Sequence, residues 1–208
     1  MANSEKTWDD LLQIKTTGRD DTNSDLFNYP YEPTPYSVLE RLAKSGLFSK
    51  KDTVIDYGCG KGRAGFFLSY ETKATTIGIE YDERIYERAA ENRKCAVSRN
   101  RTRFVCTRAE EFAVPAEVNR CYFFNPFSVE ILRKVTSRII DSYYENPREI
   151  LLFFYYPSDE YMGYLMTADE FEFVDEIDCD DLFDGNDPRE RVLIFSLPDY
   201  GEEQDGNH

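Results

Sequence analysis

Ten residues, Val54-Ile-Asp-Tyr-Gly-Cys-Gly-Lys-Gly-Arg63, narrow the folds open to this chain more than any other stretch. An apolar strand runs into glycines at 58, 60 and 62, and a helical pattern begins at once behind them. Glycine lets the backbone turn with positive φ and come closer to a ligand than a Cβ would allow. The helix that follows aims its free N–H groups at the same spot. Asp56, at the carboxyl end of the strand, fixes a negative charge there. It would clash with a pyrophosphate and suits a ligand carrying an ammonium group. Glu80 ends the next strand, where an acid can take both hydroxyls of a ribose.

The rest of the chain repeats this alternation. Strands are expected at Thr53–Tyr57, Thr75–Glu80, Arg103–Cys106 and Arg120–Phe124. Helices are expected over Gly62–Tyr70, through Ile85, Ala89 and Ala90, and after Ser128 along Leu132, Val135 and Ile139. A short helical turn is expected near Glu110–Phe112. Glu149–Tyr156 is a continuous apolar run, as in a strand buried on both faces. Phe171–Ile177 and Arg191–Leu197 follow, separated by an Asp/Gly/Asn/Pro loop too short for a crossover helix, so they pair antiparallel. Upstream, Thr34 can cap a helix with Pro35 at its first position, Leu39, Leu42 and Ala43 as its buried stripe and Gly46 as its end. The expected class is α/β, a Rossmann-like seven-stranded sheet, mostly parallel with an antiparallel C-terminal strand and helices on both faces. Residues 1–30 read as a polar N-terminal extension, 31–200 as the domain, and 201–208 as a disordered acidic tail.

Composition excludes several chemistries. The 208 residues hold five cysteines, no CxxC pair and a single histidine, His208. Zinc ligation by Cys and His and Ser-His or Cys-His catalysis are therefore not expected, and no metal is. Neither a signal peptide nor a bilayer-spanning run is visible, so the reading is a soluble, cytoplasmic protein with reduced thiols and no membrane partner.

Two frames fit the glycines. Gly60-x-Gly62-x-x-Gly65 with Glu80 satisfies the dinucleotide fingerprint. In that frame the first glycine should follow the strand directly, whereas Asp56 to Cys59 intervene. The other frame, Asp56-x-Gly58-x-Gly60-x-Gly62 with Glu80, resembles motifs I and II of the class I S-adenosylmethionine-dependent methyltransferases, over roughly residues 31–197. The resemblance implies that Gly58, Gly60 and Gly62 line the methionine half of S-adenosyl-L-methionine and that Asp56 holds its ammonium. Glu80 would bind the ribose diol and Tyr81 would pack on the adenine. The third motif usually has an Asp where this chain has Arg108, which leaves Ala109 and Glu110 for the adenine. In Asn125-Pro-Phe127, similar to the Asp/Asn-Pro-Pro-Tyr/Phe motif of amino-group methyltransferases but without the second proline, Asn125 would sit beside the methyl group and orient a nucleophile. Phe127 would stack on a substrate. Tyr155 and Tyr156 would line the acceptor cleft. The lead-in Pro30-Tyr-Glu-Pro-Thr34 resembles that of some protein-lysine methyltransferases, where Tyr31 and Thr34 would contact the cofactor's carboxylate.

Charge bears on the acceptor. The net charge is −15, and between Ser158 and Glu190 thirteen acidic residues face Arg189 alone. Such a surface repels nucleic acid and attracts cations. Eight basic residues between Arg84 and Arg108 read as a solvated helix face. The reading is methyl transfer to an acceptor, a small molecule ahead of a protein lysine. The rivals are a catalytically silent S-adenosylmethionine-binding module and an NAD-dependent oxidoreductase.

Overall fold

The computed structural model describes residues 2–20, 28–29 and 31–197; the expected acidic tail and His208 lie outside them. Strands β1 (Thr53–Tyr57), β2 (Thr75–Glu80), β3 (Thr102–Cys106), β4 (Arg120–Phe123), β5 (Leu151–Tyr155), β6 (Glu172–Asp178) and β7 (Arg191–Ser196) form one sheet. Their order is β3-β2-β1-β4-β5-β7-β6, with β1 to β5 parallel and β7 antiparallel to both neighbours. The direction of strand succession reverses between β1 and β4. Open α/β sheets bind ligands outside the carboxyl ends of strands at such a reversal.

Strand side chains alternate between two apolar layers. Ile55, Tyr57, Phe123 and Phe154 face α5 (Val129–Glu145) and α6 (Asp159–Leu165). Tyr57, Phe123 and Phe154 stack in a row across three strands, at 4.9 and 4.7 Å between ring centres. Val54, Tyr122, Phe153 and Ile194 face the opposite layer, built from α1 (Ala2–Leu12), α2 (Tyr36–Lys44) and α3 (Arg63–Thr72). Helix α4 (Glu83–Cys95) covers β2 and β3.

Local structure departs from the sequence pattern at four points. Residues 2–20 are not a loose extension, because α1 docks on α2 and α3. Trp8 packs edge-on against Phe67 at 4.8 Å and donates from Nε1 to Glu40 at 2.7 Å. The Asp9 carboxylate accepts from the Thr16 N–H (2.7 Å), the Thr16 hydroxyl (2.6 Å) and the Tyr36 hydroxyl (2.6 Å). Thr34 does not cap α2. That helix begins at Tyr36 behind Pro35, and the Thr34 hydroxyl pairs with the Tyr122 hydroxyl at 2.9 Å. Ser128 precedes α5 without a capping bond. Finally, α6 occupies a stretch with no clear period. Its start is fixed by Ser158 Oγ, which accepts from the Tyr161 N–H at 3.2 Å.

Candidate active site

A cleft of about 850 Å³, counting its open mouth, lies over the carboxyl ends of β1, β2 and β4. Asp56, Gly58, Glu80, Tyr81 and Ala109 line it from the sheet side, and Tyr31 and Thr34 close it from the N-terminal segment. Glu110 does not reach the cleft. In the short 3₁₀ turn Ala109–Glu111, its carboxylate stands 4.0 Å from Arg108 and is not among the groups that line the cleft. Thr107, which no motif pointed to, lines the wall instead.

Of the three glycines, only Gly58 faces the cleft. All three adopt positive φ, but their missing side chains make room for other parts of the protein. A Cβ on Gly58 would stand 2.4 Å from Pro126, and one on Gly60 would stand 2.0 Å from the Tyr31 ring. At Gly62 the space belongs to Phe104 and Phe66. The turn therefore admits the lead-in segment and the Asn125–Phe127 loop at close range, and these complete the cleft. Tyr31 is locked over Gly60 by its hydroxyl, which donates to the Thr16 carbonyl at 2.7 Å.

Glu80 clamps this turn. Its Oε2 accepts from the Gly60 N–H at 3.0 Å and its Oε1 from the Asp82 N–H at 2.9 Å. Burial raises its pKa in spite of those bonds. Asp56 is 5% exposed, and burial pushes its carboxyl up to about 7, opposed by a hydrogen bond from the Gly65 N–H and aided by Glu80. Two buried carboxylates in one cleft suit a guest that brings a positive charge and hydroxyls.

Arg63 has no partner role in the sequence reading, yet it anchors the cleft's end wall. It is 2% exposed, its Nε donates to Thr16 Oγ1 at 2.7 Å and its Nη1 to the Thr34 carbonyl at 3.2 Å and to Glu5. Its guanidinium lies 4.3 Å above the Tyr36 ring. Nη2 donates no hydrogen bond among the described residues and stands 3.9 Å from Asp9 Oδ1. A buried donor of this kind facing a cleft is fitted to an anionic group of a guest. The arginine directly behind Gly62 was the available signal. Its importance depends on α1, which is distant in sequence.

A second pocket of about 910 Å³, counting its open mouth, adjoins the cleft and shares Tyr29, Glu32 and Phe124 with it. Asn125 lines this pocket rather than the first, at φ +41, with Oδ1 buried and without a hydrogen-bond partner among the described residues. Asparagine adopts the left-handed region more readily than other non-glycine residues, so the turn holds it there at little cost. The Tyr29 N–H donates to the Pro126 carbonyl at 3.1 Å and Asn28 bridges to Phe127, so the lead-in is stitched to this loop. Tyr155 and Tyr156 line the pocket, as expected. Phe127 is placed differently. It is 3% exposed, meets Phe123 edge-on at 6.3 Å, and lines the first cleft, not the second pocket. Its place is in the apolar layer, because Tyr161 pins its carbonyl at 2.7 Å. Phe127→Ala is expected to cost about 3–5 kcal/mol of stability, read as a lowered denaturation midpoint. An unchanged midpoint would return Phe127 to the pocket wall.

Known proteins resemble this chain in part of its sequence and in its fold. A family described as a methyltransferase domain matches residues 48–131, which run from the approach to β1 into the first turn of α5. A protein-lysine N-methyltransferase of Saccharolobus islandicus is 37% identical over 71 residues, 33% of this chain. That match spans 44% of the curated relative's length. An RNA methyltransferase of Salinibacter ruber, solved with S-adenosyl-L-homocysteine, superposes with a TM-score of 0.55 at 20% identity, covering 83% of this chain and 97% of that one. An rRNA methylase of Streptococcus thermophilus gives 0.54 at 12% identity, covering 80% and 96%. At such identities the likeness concerns the fold alone. The stretch from 48 to 131 that carries Asp56, Gly58 and Glu80 is therefore similar to a methyltransferase domain, within a sheet whose fold is shared with these solved methyltransferases.

Proposed function

We propose that the protein transfers a methyl group from S-adenosylmethionine to a nucleophile held in the second pocket. The observation that carries this reading is the shared wall. A donor in the first cleft and an acceptor in the second meet across Tyr29, Glu32 and Phe124. Bound there, the cofactor supplies an electrophilic methyl group on a positively charged sulfur. Asp56 is suited to its ammonium, Glu80 to the ribose hydroxyls, Tyr81 to the adenine face and the spare Nη2 of Arg63 to the carboxylate. Glu80 accepts from backbone N–H groups, and the acceptor capacity left on its two oxygens is suited to hydroxyl donors. The residues of the second pocket position the nucleophile in line with the methyl–sulfur bond, which is most of what such a transfer needs.

Without its open mouth the second pocket measures about 360 Å³, at the lower end of the range of small-molecule sites, roughly 300–1,000 Å³. This favours a small acceptor. A lysine side chain is the second reading, supported by the partial likeness to the lysine methyltransferase. Several structural neighbours are described as RNA methyltransferases, whereas the charge of −15 opposes a polyanionic acceptor.

Calorimetric titration tests the cofactor. S-adenosylhomocysteine is expected to bind at micromolar concentration, and NAD and NADP are not. Preference for a nicotinamide cofactor would sink the reading, and binding without any turnover would leave a silent module. The titration also carries a pH signature. Asp56 protonates near 7, and only its ionised form attracts an ammonium. Affinity is therefore expected to fall as pH drops from 8 to 6, by up to about tenfold per unit below the pKa. Asp56→Asn should flatten that dependence, and a pH-independent wild type would remove Asp56 from the ammonium site.

A further inference from the structure

The second pocket offers its guest hydrogen-bond acceptors and aromatic faces. Tyr29, Phe124, Tyr155, Tyr156 and Phe183 contribute rings, and Glu32 and Glu190 contribute carboxylates. The Tyr155 hydroxyl is already committed to Glu190 Oε2 at 2.6 Å and the Tyr156 hydroxyl to Asp187 at 2.6 Å. The Asn125 Oδ1 is buried and lacks a donor among the described residues. The basic groups nearby are opposed: Arg19 stands 3.7 Å from Glu32, and Arg189 pairs with Asp187 at 2.9 Å while lying 4.5 Å over the Tyr156 ring. A guest that fits must bring N–H donors and positive charge. An ammonium group brings three donors, and ring faces attract it as well.

We propose that this pocket takes an aliphatic ammonium group, from a lysine side chain or a free diamine, and that Glu190 accepts its proton before methyl transfer. This rests on the methyltransferase reading above. An ammonium nitrogen has no lone pair to attack with. Its N–H proton passes to the Glu190 carboxylate, which leaves a neutral amine. The N–C bond then forms as the S–C bond of the sulfonium donor breaks, and the positive charge moves from sulfur to nitrogen. Glu190 lies in reach because β7 begins immediately after it, and Tyr155 of β5 holds its Oε2. Burial raises its pKa towards that of a proton acceptor, Asp187 and Asp180 add to the rise, and Arg189 and the Tyr155 hydrogen bond oppose it. Asn125 Oδ1 is placed to accept one of the remaining N–H groups.

The test uses the full chain with a methyl-labelled donor and three acceptors: a lysine-containing peptide, 1,5-diaminopentane and an unmodified RNA oligonucleotide. Label is expected in an amine, with the peptide and diamine arms distinguishing the two sources. Glu190→Gln keeps the shape and is expected to lower kcat/KM about 100-fold. Its rate should recover as pH approaches the amine's own pKa, which a merely structural role would not produce. A fluorescent lysine peptide should bind the S-adenosylhomocysteine complex about tenfold more weakly after Glu190→Gln, and hardly at all when its lysine is replaced by norleucine. Label in RNA alone, or amine methylation and peptide binding indifferent to Glu190→Gln, would overturn the proposal. A wild-type chain that fails to bind S-adenosylhomocysteine would overturn the underlying reading instead.

Discussion

Arg63→Met is expected to release the N-terminal helix from the domain and to lower stability by about 3–5 kcal/mol, the usual cost of leaving a buried ion pair without one member. For a domain of this size that corresponds to a fall in midpoint on the order of 10 °C. The reason is geometric. Arg63 is the point where Glu5, Asp9, Thr16 and Thr34 converge, and Glu5 and Asp9 are separated from it by most of the first third of the chain. Without the guanidinium, the Asp9 carboxylate keeps its hydrogen bonds from Thr16 and Tyr36 but loses its countercharge in a site that is 5% exposed. Trp8 reports the event, since it is the chain's one tryptophan and sits among Tyr36, Phe67 and Tyr70. Its emission should shift to the red in the variant. Unchanged emission and midpoint would mean that α1 docks through its apolar contacts alone. Cofactor affinity should fall as well, because the lead-in that carries Tyr31 and Thr34 is tethered through the same arginine.

Asp56→Asn separates binding from stability with opposite signs. Wild-type Asp56 is a carboxylate buried at the end of β1, where ionisation is costly until a cationic partner arrives. Removing the charge should leave the midpoint of the unliganded chain at pH 8 unchanged or higher. Affinity for S-adenosylhomocysteine should fall about 10- to 100-fold, since a hydrogen bond to a charged group contributes about 1.5–3 kcal/mol. A group kept at a cost to the empty protein and repaid by a ligand is a functional group. Loss of stability without loss of affinity would make Asp56 a structural residue that braces the Gly65 N–H at the start of α3.

Local chemistry made the sheet legible. Thr53–Tyr57 and Thr75–Glu80 carry their own period and boundaries, and the apolar run ending at Tyr156 can only be a strand covered on both faces. Asp56 and Glu80 were also readable, because a strand's carboxyl end is a fixed place once the strand is known. The functional reading of the glycines was half visible. Their backbone requirement is written in the residue type, but the groups that approach them, Tyr31 and Pro126, are supplied by loops far along the chain. For the same reason Thr34 looked like a helix cap. Its hydroxyl had a local option in α2 and took a distant one in Tyr122.

What the tertiary structure alone decided is which polar groups meet. Residues 1–30 read as a polar extension in which Trp8, Leu11, Leu12 and Ile14 hint at a short amphipathic helix, and in the structure Leu12 and Ile14 are buried while Leu11 is exposed. Their docking depends on Asp9 and Glu5 finding Arg63, an attraction between charges with no period to betray it. Glu190 likewise follows Pro188-Arg189 in what reads as loop, and it becomes a pocket residue only because β7 inserts between β5 and β6 and delivers it to Tyr155. The sequence by itself determined the strands, the turn and the charges at its ends, because backbone preference and burial act over a few residues. The second pocket, its acceptor-rich lining and the arginine hub came from the fold, because complementary charges and hydrogen bonds act between residues that only the sheet order brings together.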